Sequence, residues 1–225
     1  MTERFAFPAS QALAEDFEAV IQAFAHGIPR EPQSARVVAL AQRYADEIVD
    51  ALILALVRGS APDSHAPGVL DKVASLIKGT VHALIRQVVG KLSNKELASV
   101  ADYVRHRRSR IEVDGVLRDH ISFDLEPQDA FFLRSTWSKA AQGEGDLAEM
   151  TRAMTLFGEL AIDAFYVDSA KALSMGFIAR NMFNVGHVAI SKGAKTAISH
   201  LVPNMKAREL QYFGAYFLGM LKTSS

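Results

Sequence analysis

The chain has 225 residues, of which 49% are hydrophobic and 22% are charged, and its formal net charge is zero. This composition is typical of a folded globular protein and argues against a chain that is disordered throughout. The absence of cysteine excludes disulfides, thiolate metal sites and cysteine nucleophiles. Since the chain shows neither a basic leader with an apolar core nor about 18 consecutive apolar residues, we expect a cytoplasmic protein.

Hydrophobic residues recur with helical spacing over most of the chain. This pattern predicts a single all-α domain over residues 1–225, a bundle of about seven or eight helices. Ser93 and Glu96 have the spacing of a capping box, and Pro127 suits the first turn of a helix. Segments 27–34 and 59–68 are rich in Gly, Pro and Ser and predict loops. The predicted helices span residues 10–26, 34–58, 68–91, 94–108, 128–141, 147–166, 169–201 and 205–222.

One stretch, residues 110–126, departs from helical spacing. Apolar and polar residues alternate on both sides of Asp114-Gly115, which is a β-hairpin signal. An ordered loop that covers the helices explains the stretch about equally well. The stretch also divides the chain, so the halves 1–109 and 126–225 are alternative subdomains.

Charge is arranged in four blocks of alternating sign. Residues 1–71 carry a net charge of −5, residues 72–110 +7, residues 111–168 −8 and residues 169–225 +6. Acidic helices that pack beside basic ones explain this pattern, although each exposed ion pair adds only about 0–1 kcal/mol. The alternative is a surface that recruits an oppositely charged partner. We favour pairing within the chain because the blocks cancel.

Two basic segments supply candidate anion-facing residues. In the helix predicted over 68–91 a cationic side lies opposite an apolar side, as in a surface helix of a bundle or a helix that lies on a membrane. The run VRHRRSR at 104–110 could contact phosphates by charge, but no nucleic-acid motif surrounds it, and helix C-termini favour positive charge. Nucleic acid is therefore not an expected partner. The candidate anion-facing residues are Lys72, Lys78, Arg86, Arg105, Arg107 and Arg108.

The segment 169–208 contains no Asp or Glu, and small residues recur in it at heptad spacing. Glycine inside a helix costs up to about 1 kcal/mol relative to alanine, so two glycines on one line predict the close approach of another helix. We expect the opposite, basic side to meet the acidic block 111–168 or an acidic partner. The predicted helix-packing seam consists of Ala172, Ala179, Gly186 and Gly193.

The last predicted helix is apolar around most of its circumference, so we expect it to be buried. It would be buried in the core of the chain or in a dimer interface, where aromatic residues and Met are enriched. A pocket for a hydrophobic ligand is a further alternative. The candidate residues are Tyr212, Phe213, Tyr216, Phe217 and Met220.

No catalytic, cofactor-binding or metal-binding motif is present, and the seven histidines lack metal-ligand spacing. The sequence therefore favours a non-enzymatic interaction or regulatory protein that self-associates through its C-terminal helices. The alternative is a binder of an apolar or anionic ligand, a lipid or a membrane surface, through helix 68–91 and segment 169–208. An enzyme assembled from scattered polar residues stays open, and any cofactor stays unknown. The expected partners are a second copy of the chain, an acidic protein or an anionic lipid.

Overall fold

The structure is a computed structural model that describes residues 2–57, 66–173 and 175–224. Within these ranges the chain forms a helical bundle to which a small antiparallel sheet is attached, as predicted from the helical spacing and the short β excursion. None of the described helices is long and apolar enough to span a membrane.

Eight helices account for most of the described chain. Two of them continue through a π-helical turn, at Asp50–Leu54 and Asp163–Val167, into short final segments at Ala55–Val57 and Asp168–Ala172. The helices are α1 (Gln11–Ala23), α2 (Ser34–Val49), α3 (Ala66–Gln87), α4 (Asn94–Arg107), α5 (Pro127–Ala141), α6 (Leu147–Ile162), α7 (Phe177–Leu201) and α8 (Ala207–Met220).

The predicted start signals of two helices are confirmed. Ser93 and Glu96 form a capping box at α4, and Pro127 occupies the first turn of α5. Of the predicted loop 59–68, residues 59–65 lie outside the described part of the chain, and the last three residues already belong to α3.

The prediction of one continuous helix over 169–201 is wrong. The helical segment that follows α6 ends at Ala172, and α7 begins at Phe177. Leu173 leaves the helical conformation with ψ 130°, and Gly176 is extended with ψ 172°. Between them Met175 is buried against α3 and α7, so tertiary packing outweighs helical propensity here.

The sheet has four antiparallel strands in the order β2-β3-β1-β4. In the described part of the chain these are β1 (Thr2–Pro8), β2 (Arg108–Val113), β3 (Val116–Leu125) and β4 (Leu221–Ser224). Between β2 and β3, Asp114 and Gly115 have φ values of 54° and 75°, the left-handed pair that a tight hairpin turn requires. The structure therefore confirms the β-hairpin predicted for residues 110–126. It does not support the alternative prediction of an ordered loop. Strands β1 and β4 are not predicted from the sequence.

Aromatic side chains from both halves of the chain meet in one core. The ring centroids of Phe5 in β1 and Phe157 in α6 lie 4.6 Å apart, and those of Trp137 in α5 and Phe217 in α8 lie 5.2 Å apart. All four side chains are buried in the same hydrophobic cluster. The sheet is thus fastened to α5, α6 and α8, while α2, α3, α4 and α7 build the other side of the bundle.

Candidate functional site

A cavity of about 270 Å³ lies between the helices of the bundle and is only partly enclosed. Its wall is formed mainly by α2, α3, α6 and α7, which contribute, for example, Leu40, Val81, Ala161 and Ile190. The volume is close to the lower end of the range for small-molecule sites, about 300–1,000 Å³. Apolar walls of this kind favour apolar molecules over water.

The polar side chains in the cavity wall are hydroxyls whose hydrogen bonds are made within the protein. The Tyr103 hydroxyl lies 3.3 Å from the Tyr44 hydroxyl, and its single hydrogen is shared between the backbone oxygens of Ala164 and Phe165, each at 3.3 Å. Burial raises the pKa of both Tyr44 and Tyr103, so both phenols are neutral at neutral pH.

A third phenol, that of Tyr166, donates to the backbone oxygen of Phe183 at 2.9 Å and so connects the end of α6 to α7. Burial raises the pKa of Tyr166 as well. The nearby Ser169 hydroxyl donates to the backbone oxygen of Tyr166 at 2.7 Å. Among the described residues no charged side chain lines the cavity, so its wall favours an uncharged, apolar occupant.

Both π-helical turns face the cavity. Ile53 from the turn after α2 and Phe165 from the turn after α6 are part of its wall. Phenols from other helices bind the backbone of these turns: Tyr216 donates to the oxygen of Ala51 at 2.7 Å, and Tyr103 to that of Phe165. Turns of this type occur frequently at functional sites, and here two of them shape one cavity.

The structure places Gly186 of the predicted seam against two side chains. A Cβ atom at this position would lie 2.5 Å from Leu84 Cδ1 in α3 and would collide with the Tyr166 hydroxyl. At Gly193, two turns further along α7, a Cβ atom would lie 3.6 Å from Leu76 Cδ2 in α3, an ordinary contact distance. Gly186 therefore allows Leu84 of α3 and the Tyr166 phenol to pack against α7, whereas a side chain would fit at Gly193.

The alanines of the predicted seam are placed differently from each other. Ala179 packs at the margin of the cluster that contains Tyr166 and Phe183. Ala172 precedes the break before α7, so it does not continue the line of Gly186, although it contributes to the cavity wall.

The aromatic residues of α8 lie within the chain itself. Phe213, Phe217 and Met220 are buried in the main core. Tyr212 and Tyr216 reach towards the end of α2, where their hydroxyls donate to the backbone oxygens of Ala55 and Ala51. Of these residues only Phe213 lines the cavity. Of the alternatives for this helix, the structure shows burial in the core of the chain.

Most candidate anion-facing residues form ion pairs within the chain. Lys78 lies 2.7 Å from Asp50, and Arg107 lies 2.6 Å from Asp168. Arg105 pairs with Asp102 at 2.5 Å along α4. Arg108 binds both Glu18, at 2.8 Å, and Asp119, at 2.7 Å.

The remaining two candidates, Lys72 and Arg86, are exposed and have no carboxylate partner in the described ranges. Several of the ion pairs connect charge blocks of opposite sign. Lys195 of α7 adds a further one, 2.8 Å from Glu159 of α6.

The cavity is not predicted from the sequence, although the sequence carries a signal for it. Small residues recur at helical spacing on the inner sides of three helices that face one another. Two small residues on adjacent turns of a helix leave space beside that helix wherever no large side chain from a neighbouring helix fills it. The pairs that line the cavity are Ala41 and Ala45 in α2, Gly158 and Ala161 in α6, and Ala194 and Ala197 in α7.

Comparison with known proteins gives no relative: no family model matches the chain, and neither a curated protein nor a solved structure is similar to it. The residues that the structure describes contain no group of three or more His, Asp or Glu that could hold a metal ion. The apolar cavity is therefore the most developed candidate site in the described molecule.

Proposed function

We propose that this protein binds a hydrophobic small molecule, such as one that carries an acyl chain, in the cavity between α2, α3, α6 and α7. The observation that carries the proposal is the cavity of about 270 Å³ with an apolar, uncharged wall. Its hydroxyls are already hydrogen-bonded to the protein, so a ligand need not supply polar partners inside it.

The driving force for such binding is the removal of apolar surface from water. Each buried methylene contributes about 0.8 kcal/mol, so two more methylenes should tighten binding roughly tenfold until the cavity is full. A carboxylate or other charged head group would stay in water at the surface, because a charge without a partner inside this wall is strongly unfavourable. The specificity would therefore be for chain length and shape.

Self-association through the C-terminal helices is less well supported by the geometry. The side chains of Phe213 and Phe217 that would form such an interface are buried inside the chain. A second copy could reach them only after α8 had left its contacts with α5. Ligand binding requires no such rearrangement, and we therefore prefer it.

Calorimetric titration with octanoate, decanoate and dodecanoate tests the proposal. We expect Kd to fall about tenfold for each two-carbon extension until a limiting length is reached. Ala161→Leu places a larger side chain in the cavity wall and should abolish or strongly weaken the binding of dodecanoate. The matched control is Ala148→Leu, which makes the same change at an exposed position of α6.

Three results would contradict the proposal. The first is an absence of binding for all three acids, and the second is an affinity that does not depend on chain length. The third is equal weakening by the Ala161 and Ala148 variants. Solvent extraction of the purified protein followed by mass spectrometry provides an independent measurement, which should recover an apolar molecule that is depleted in Ala161→Leu.

A further inference from the structure

The outer side of α7 carries large apolar residues that are exposed to solvent. Phe177, Val185 and Val188 are 79%, 71% and 65% exposed. Leu76 of the neighbouring helix α3 is 51% exposed and lies beside Gly193 of α7. A surface helix of a globular protein has a polar outer side, so this concentration of apolar residues on one helix pair requires an explanation.

The charge around these apolar residues is positive. α7 contains no acidic residue. Arg180 and Lys192 lie on its exposed side, and neither has an ion-pair partner in the described part of the chain. Lys72 is exposed on α3, one turn before Leu76. Lys195, one turn after Lys192 on the same exposed side, forms an ion pair of 2.8 Å with Glu159 of α6.

The same two helices also separate the cavity from the outside. Val73, Ile77 and Val81 of α3, together with Phe183 and Ile190 of α7, line the cavity from within. Gly186 lies beside Leu84 and Gly193 beside Leu76, so the two helices run antiparallel in contact. A single layer of helices thus has the cavity on one side and the exposed apolar and cationic surface on the other.

We propose that the outer face of α3 and α7, formed by Lys72, Leu76, Phe177, Arg180, Val185, Val188 and Lys192, docks on a lipid bilayer that contains anionic lipids. Apolar side chains flanked by cations, on a helix that like α7 carries no acidic residue, are what an interfacial helix presents to such a bilayer. The anionic head groups complement Arg180, Lys192 and Lys72, while the apolar side chains enter the boundary region. The inference rests on the proposed function, because the bilayer would be the source of the hydrophobic molecule.

Co-sedimentation of the full chain with phosphatidylcholine vesicles, with and without phosphatidylglycerol, tests the inference. The wild-type protein should sediment with the anionic vesicles and remain largely in solution with the neutral ones. The double variant Val185→Glu/Val188→Glu should lose binding by about tenfold or more, because it removes apolar residues and adds repulsive charge. Lys192→Glu should weaken binding in the same direction.

Two matched controls fix the location of the face. Val116→Glu/Leu117→Glu replaces two comparably exposed apolar residues of the β2–β3 hairpin and should sediment like the wild type. Lys95→Glu reverses an exposed charge on α4 and should also leave binding unchanged. Circular dichroism of each variant confirms that it is folded.

The outcomes separate this inference from the proposed function. Wild-type protein that binds dodecanoate but not anionic vesicles, or that sediments equally with both vesicle types, overturns the docking face alone. If the wild-type protein does not bind dodecanoate in solution, the proposed function is overturned. A wild-type dimer that Val185→Glu/Val188→Glu converts to a monomer, as measured by light scattering, would mean that a second copy covers the face, and this also overturns the inference.

Discussion

The Tyr166 hydroxyl donates a hydrogen bond of 2.9 Å to the backbone oxygen of Phe183, beside the position where Gly186 has no side chain. This contact connects the end of α6 to the first half of α7. It is possible only because residue 186 is a glycine, since any Cβ atom there would occupy the place of the phenol oxygen.

Gly186→Ala should therefore destabilise the protein by about 1–3 kcal/mol, the usual cost of an extra carbon in a filled space. Gly193→Ala is the matched control on the same helix, where a Cβ atom meets Leu76 at 3.6 Å. That change should be neutral or should stabilise the protein by up to about 1 kcal/mol, because alanine favours helix. Urea unfolding of both variants measures the difference, and equal stabilities would show that the close contact is unimportant.

A second glycine allows α5 and α8 to approach closely. A Cβ atom at Gly214 would lie 2.6 Å from Ala140 Cβ, 2.7 Å from the Ala141 nitrogen and 2.8 Å from the Trp137 oxygen. Backbone atoms cannot yield as side chains do, so Gly214→Ala should cost about 1–3 kcal/mol in chemical unfolding. Gly219→Ala, in open space on the same helix, should not destabilise. A tolerated Gly214→Ala would contradict the placement of α8 inside the chain.

The β2–β3 hairpin is fastened by Arg108, which makes hydrogen bonds of 2.7 and 3.1 Å to the Asp119 carboxylate and one of 2.8 Å to Glu18 of α1. The hydrogen bonds from Arg108 to the Asp119 carboxylate lower the pKa of Asp119 below its usual value of 3.8. Above about pH 3.8 the Asp119 carboxylate therefore makes its full contribution to the free energy of unfolding. This contribution is lost as pH falls through the lower pKa of the folded state.

Asp119→Asn should reduce the free energy of unfolding near neutral pH by about 1.5–3 kcal/mol, the range for hydrogen bonds to charged groups. The difference from wild type should narrow below about pH 4, as the wild-type carboxylate becomes protonated. Asp124→Asn is the control, because its pair with Arg4 is largely exposed and should contribute at most about 1 kcal/mol. A pH-independent difference would contradict the assignment to charge.

Filling the cavity should stabilise the ligand-free protein. Ala161→Leu supplies apolar contacts that the cavity wall lacks, and such changes typically add about 0.5–2 kcal/mol. For a chain of this size, Tm rises by about 2–4 °C for each kcal/mol. Differential scanning calorimetry of the delipidated protein should show the increase, whereas Ala148→Leu should not. A lowered Tm would mean that the space at Ala161 is too small for leucine.

Local signals in the sequence identified most of the helices and the hairpin. Helical spacing of apolar residues is a local property, as are the capping box at Ser93 and the Asp114-Gly115 turn, and the structure confirms them. The break after Ala172 could not be predicted, because burial of Met175 against other helices decides it. Strands β1 and β4 were missed for the same reason, since each is defined by a partner far along the chain.

The site was harder to predict than the fold. A cavity is the space left where several helices fail to fill a volume, and no single helix specifies it. The basic residues illustrate a related difficulty. Lys78 and Arg107 belong to basic blocks of the sequence, yet each lies within 2.7 Å of a carboxylate from a distant part of the chain. Lys192 and Lys72 look equivalent in sequence and have no such partner among the described residues.

The pairing of β1 with β4 bears on how the chain reaches its fold. Thr2 lies opposite Ser224, so this ladder closes a loop that contains nearly every other described residue. Long-range pairing of this kind delays folding, because the entropy of loop closure is lost before the contact forms. A circular permutant that joins these strands by a short linker and is opened at the exposed Gly143-Glu144 turn would make the pairing local. We expect it to refold faster than the wild type in stopped-flow experiments.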